Sequence, residues 1–409
     1  MPTISFTAFF SAPHRLLFAG GTIQAILSVL FWAFDLGARL SSWYAPPSWS
    51  VASVWLHAGL MIYGLFTFFI FGFLLTALPK WVSATAIQRK DYLPVFWLLT
   101  AGWTLFYTGL LFRPLLAFGL SLAWLGGAWG VRILWRAANT PLPKGGELDR
   151  RHAQTIVGVI SLGGIGLAAL AIGLARQDAD WMRAAIDIGL WCYLLPVFFT
   201  VSHRMLPFFS ASALRGYIVY RPMPLLWLML VCFIGHGMLA ALARPLWALP
   251  LDLLSTALAI HFSWKWQLRK SFAVPMVAML HVATLWLGLG LGLYALHSLL
   301  LLLNHPAGLG LAPLHAISLG YFAAMMLAMA TRVTRGHSGR PIDGYRLAWP
   351  LFLAFQSVPL LRLLGEVWPL AGMLNFSWLA SIAWLLVFAT WARTHLPMYF
   401  QPRPDGQPG

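Results

Sequence analysis

Apolar stretches alternate with short polar, mostly basic loops along the whole chain. Each stretch is close to the ~20 residues that cross a bilayer as a helix. They run near 16–34, 51–78, 94–112, 115–131, 155–175, 184–200, 223–243, 246–264, 272–299, 311–331, 347–363 and 371–391. None shows the period-2 alternation of a membrane β-barrel strand. Helices satisfy their own backbone in lipid, so the pattern predicts an all-α, polytopic membrane protein with about twelve transmembrane helices. The eleventh stretch is the weakest, because Pro350 and Pro359 interrupt it. Residues 1–400 read as a single helical domain and 401–409 as a disordered tail.

Charge orients the array. With the N-terminus inside, Arg39, Arg113, Arg176, Arg183, Arg244 and Arg362 fall on the outer side, and the other 21 of the 27 Lys and Arg fall on the inner side. The positive-inside rule then places both termini in the cytoplasm. A missed or invented span would reverse that bias partway along the chain, so the number of spans is expected to be even.

Composition agrees with this picture. Apolar residues make up 60% of the chain and charged residues 9%, too few charges to cover a soluble domain of 409 residues. The net charge of +16 needs no nucleic acid, since no basic soluble domain exists to carry one. The excess lies on the inner face, against anionic lipid. Cys192 and Cys232 read as packing thiols, with no CxxC partner to suggest a metal site. The first span reads as a retained helix rather than a cleaved signal.

Histidine is the main ionisable group placed inside the spans. A neutral imidazole is a metal or haem ligand that brings no charge into lipid. Of the twelve histidines, His14, His152, His305 and His395 sit near span ends or in loops and read as interfacial anchors or caps. His57 lies ~9 Å below the outer face on the second span and His315 ~6 Å below it on the tenth, at 1.5 Å rise per residue. Two histidines at matching depth on different helices are what bis-imidazole haem ligation requires. Gly59, Gly64, Gly72 and Gly320 follow them, leaving room for a flat macrocycle or for close helix packing. His281 lies nearer the inner face, as do His203 and His337, which predicts a second site built on His281 with His337 or His203. Arg204 and Arg332 stand beside them, suited to haem propionates or lipid phosphates.

The segments Trp55-Leu56-His57-Ala58-Gly59-Leu60-Met61 and Gly72-Phe73-Leu74-Leu75-Thr76-Ala77-Leu78-Pro79 resemble the NnrS family of bacterial membrane proteins. So do Arg204-Met205-Leu206-Pro207-Phe208-Phe209, Leu280-His281, Leu314-His315-Ala316, Gly336-His337-Ser338-Gly339-Arg340-Pro341 and Arg403-Pro404-Asp405-Gly406. The resemblance covers nearly the whole chain. It implies a protein tied to nitric oxide that carries haem and copper. Its second helix is also similar to the low-spin haem helix of haem–copper oxidases, which implies a bundle of that kind. Two departures stand out. Gly59 and Leu60 occupy the places of the second His and the Glu in the family's His-x-His-Glu-Met, and His203 replaces a glycine.

The expectation is therefore an inner-membrane haem b protein, with copper as a second metal, that binds or redox-handles nitric oxide or its products and protects against nitrosative stress. Its expected partners are haem, a small diatomic ligand and the bilayer, besides an electron donor the sequence does not name. The competing readings are a turnover enzyme, either a nitric oxide reductase or an oxidase, and a transporter. Turnover needs a proton route, and among the eleven acids Asp252 is the deepest candidate for one. A transporter is the weakest reading, because no internal repeat is evident.

Overall fold

The computed structural model describes residues 5–41, 44–141, 149–242, 244–304, 308–342, 345–366 and 370–406. His305, in a loop, lies outside them. All regular structure among these residues is helical. Twelve long helices match the twelve apolar stretches: α1 Pro13–Leu40, α2 Ser53–Trp81, α3 Arg89–Gly109, α4 Pro114–Ala138, α5 Arg151–Arg176, α6 Ala179–Ala213, α7 Met223–Ala241, α8 Leu249–Lys265, α9 Pro275–Leu302, α10 Ala312–His337, α11 Ala348–Glu366 and α12 Leu370–Tyr399. Eleven of them are long and apolar enough to span a membrane. The twelfth, α3, opens on Arg89, Lys90 and Asp91 and carries the polar residues of a helix that runs out into an interface. The weak eleventh stretch is broken, with one piece ending at Phe355 and the next starting at Ser357.

Most consecutive helices pack on one another, and α12 returns to pack on α1, closing the array. The exception is α3, which packs on α1 and α4 instead of α2. The most buried spans are α2, α6 and α10. They meet through Phe66, Phe198 and Phe322, whose ring centroids are 4.9–5.8 Å apart. Indole donors fasten the closing helix: Trp384 Nε1 donates to Ala25 O at 2.8 Å and Trp391 Nε1 to Thr331 Oγ1 at 2.8 Å.

The two ends of the chain meet. Ser5 N donates to Phe400 O at 2.7 Å, and the Arg15 guanidinium donates to Tyr399 O and Gln401 O. Arg340 donates to the Gln401 side chain at 2.6 Å and Arg403 pairs with Asp405. Residues 401–406, part of the segment expected to be disordered, are held by these contacts, while 407–409 lie outside the described residues.

The same three central helices each contain a π-helical stretch: Leu60–Leu65 in α2, Ile188–Leu194 in α6 and Ala316–Ala323 in α10. An i→i+5 turn inserts one residue into the helix and rotates everything beyond it. Such turns concentrate at functional sites.

Candidate functional site

His57 stands three residues before the π stretch of α2, and His315 stands immediately before that of α10. The two imidazoles lie within electrostatic range of each other, and the Arg362 guanidinium of α11 bears on both. The two histidines that matching depth singled out are thus close enough to influence each other's charge.

The surroundings of each ring set its chemistry. His57 stacks on Trp32 of α1, with centroids 4.2 Å apart and planes 14° apart. Its Nδ1 is buried without a hydrogen-bond partner. His315 Nδ1 is 2.9 Å from Leu311 O. A carbonyl oxygen only accepts, so Nδ1 carries the proton and Nε2 of the neutral ring keeps its lone pair. A backbone carbonyl holding one imidazole nitrogen is the usual way a ligating histidine is oriented.

That carbonyl is itself anchored. Leu311 N donates to Glu366 Oε2 at 3.1 Å, and Glu366 Oε1 pairs with Arg362 Nη1 at 2.6 Å. Both side chains of the pair are buried to within 12% exposure. Gly310, at φ +54°, lets the chain turn there, and a Cβ at this position would sit 2.5 Å from Glu366 Oε2. Arg362, Glu366, Leu311 and His315 therefore form one chain of contacts from α11 to the imidazole. The sequence signal was an Arg and a Glu four residues apart in a Pro-interrupted span.

The glycines near the histidines serve helix packing. A Cβ on Gly59 would meet Leu170, one on Gly72 would meet Phe18, and one on Gly320 would meet Trp286 at 2.4 Å. One on Gly64 would meet Gln24 and Trp103. No macrocycle is needed to explain them.

In the inner half the histidines pair differently from the expected set. His281 lies 3.0 Å from the Ser210 hydroxyl. His203 Nδ1 lies 2.9 Å from His152 Nε2, and the outer nitrogens of that pair, His152 Nδ1 and His203 Nε2, are buried without partners. His337 faces His14, with ring centroids 4.7 Å apart, and His14 Nδ1 is buried without a partner. Among the described residues, no three His, Cys, Asp or Glu side chains gather to hold a metal. His281, His337 and His203 thus each face a different neighbour. His14 and His152, read from the sequence as interfacial, are 2% exposed. His152 packs against His203 of α6 and His14 against His337 of α10, contacts that hydropathy does not register.

A further polar pair lies toward the other end of the bundle. His236 Nδ1 is 2.7 Å from Asp252 Oδ1, and Asp252 Oδ2 is buried without a partner. The His236 ring stacks on Trp191 at 3.5 Å.

Comparison with known proteins adds two findings. No curated protein matches the chain. A family model described as NnrS protein matches residues 8–403.

Proposed function

Starting from a chain that belongs to the NnrS family, a membership that fits a nitric-oxide-related role, we propose an inner-membrane haem protein of nitric oxide metabolism, in which His57 and His315 would hold one haem b. It would protect against nitrosative stress by binding or redox handling of nitric oxide or its products, with both termini in the cytoplasm. What supports this reading is two half-buried imidazoles on central helices within electrostatic range of each other, one held in a fixed tautomer by Leu311 O and the other left with an orphaned nitrogen.

The residues fit the group. An orphaned buried nitrogen costs about 1–3 kcal/mol, and iron ligation or a hydrogen bond to a propionate would remove that cost at His57. Arg362 offers a guanidinium to a carboxylate, although Glu366 already holds part of it. When bound, a haem held by His57 and His315 would supply one-electron chemistry. The chain's own part is to orient His315 through the Glu366–Leu311 contact, to cover one face of His57 with Trp32, and to exclude water with apolar helices.

For copper the fit is partial. The expected set of His281, His337 and His203 is spread over three neighbourhoods. An ion would find at most the two imidazoles of His152 and His203, or of His14 and His337. Protein copper sites usually add a third donor.

The test is spectroscopic. Purified protein should give a b-type pyridine haemochrome and a low-spin spectrum. His57→Ala and His315→Ala should each abolish the low-spin signal while the protein still inserts. Wild-type spectra from both variants would refute the assignment.

The buried His236–Asp252 pair favours turnover as a second reading, because a carboxylate with a free oxygen beside an imidazole can pass protons. Reduced, reconstituted protein would then consume nitric oxide, and Asp252→Asn would stop consumption without changing the haem spectrum.

A further inference from the structure

One cavity outside the His57–His315 site has a chemistry of its own. It has a volume of about 610 Å³ and opens between the ends of α2, α6 and α10 that carry Trp81, Ser212 and His337. Five cations line it: Lys80, Arg204, Arg221, Arg332 and Arg403. Among the described residues, no carboxylate is in its lining. Asp405, which pairs with Arg403, lies beyond the lining.

The guanidiniums are held in place. Arg204 lies over the Trp81 ring with its Cζ 4.9 Å from the centroid, and it also reaches Trp81 O. Arg332 lies over Phe209 at 4.3 Å. A guanidinium flat on an aromatic face, as at Arg204, keeps its N–H edge for a second partner. Arg403 Nη1 reaches His337 O, which fixes the third arm. Arg403 is paired with Asp405, and Lys80, Arg204 and Arg221 place like charges around one partly enclosed space, where a bound anion would reverse the sign of their interaction.

The remaining wall is apolar. Phe73, Met205 and Phe208 line it on the side toward the membrane interior, and Phe208 is 58% exposed. A basic end joined to an apolar wall matches an amphiphile better than a small soluble ion.

We propose that this cavity binds the phosphate head group of an anionic phospholipid, with the acyl chains lying along Phe73 and Phe208. Basic pockets between transmembrane helices on the cytoplasmic side recognise such head groups, and a lipid carrying two phosphates uses the most cations. The inference does not depend on haem.

Delipidated protein in neutral detergent tests it by native mass spectrometry. Diphosphatidylglycerol should be retained as a discrete adduct where phosphatidylcholine is not. Arg204→Gln combined with Arg332→Gln should weaken that adduct by about thirtyfold, at roughly fivefold per basic side chain near a membrane surface. Arg113→Gln, on another loop, should leave it unchanged. Lys80→Gln, at an exposed residue, is the milder variant if the double substitution does not fold, and it should weaken the adduct by about fivefold. Equal retention of both lipids, or an adduct indifferent to these substitutions, would overturn the proposal. Inorganic phosphate displacing the lipid at comparable concentration would overturn the lipid assignment in favour of a soluble phosphate.

Discussion

Replacing Glu366 tests the chain of contacts behind His315. Glu366→Gln keeps an oxygen to accept Leu311 N–H but removes the charge opposite Arg362. The side chains of the pair are 12% and 7% exposed, so the substitution leaves a guanidinium in a nearly closed site. Breaking a buried ion pair by removing one partner costs about 3–5 kcal/mol. With an unfolding entropy of ~2.1 cal/mol/K per residue over 409 residues, that corresponds to a fall of about 4–6 °C in melting temperature. Cys192 and Cys232 are both buried and free, so a thiol-reactive fluorophore reports the transition in detergent. Arg362→Leu alone should cost a similar amount, because it leaves the carboxylate stranded. The double variant Arg362→Leu/Glu366→Leu should recover most of the loss, since apolar replacement of a whole buried pair is often neutral. Single variants that each lose under about 1 kcal/mol, as surface pairs do, would refute the buried-pair argument. So would a double variant whose loss equals the sum of the two singles.

Other outcomes follow from separate features. Reporter fusions after Gln88 and Gln401 should report cytoplasm and one after Asp178 periplasm; a periplasmic report at Gln401 would overturn the orientation. Gly320→Ala should destabilise by about 1–3 kcal/mol, because its Cβ would press into Trp286, whose Nε1 donates to Gln356 at 2.8 Å; an unchanged thermal transition would show that the ring can yield. His281→Ala should lower stability by about 1–3 kcal/mol through the unpaired Ser210 hydroxyl, while the haem spectrum stays intact; loss of that spectrum would place His281 at the haem instead.

Much of the bundle was legible in the sequence. Hydropathy located the helices because a span must present apolar side chains over a fixed length, although α3 falls short of the eleven that meet that measure. Depth counting singled out His57 and His315 on the same ground: rise per residue is constant along a helix. What escaped was information that hydropathy does not hold. The π stretches at Leu60–Leu65 and Ala316–Ala323 contain ordinary apolar residues, and only backbone geometry reveals them. Arg362 and Glu366 were hidden in a span broken near its prolines. The partners of the inner histidines join distant elements, Ser210 to His281 and His152 to His203, and which helices become neighbours cannot be counted along one chain.

The clasp between the two ends of the chain bears on synthesis. Arg15 donates to carbonyls 384 and 386 residues further on, so its acceptors do not exist until α12 has been made. Until then α1 waits in the bilayer with the face that α12 will cover turned to lipid or to an insertion factor. A ribosome stalled before the last helix releases an open bundle. Such truncated products should be sensitive to membrane proteases, while the full-length protein gains its resistance in one late step. Closure of the ring by α12 is thus a late step of assembly.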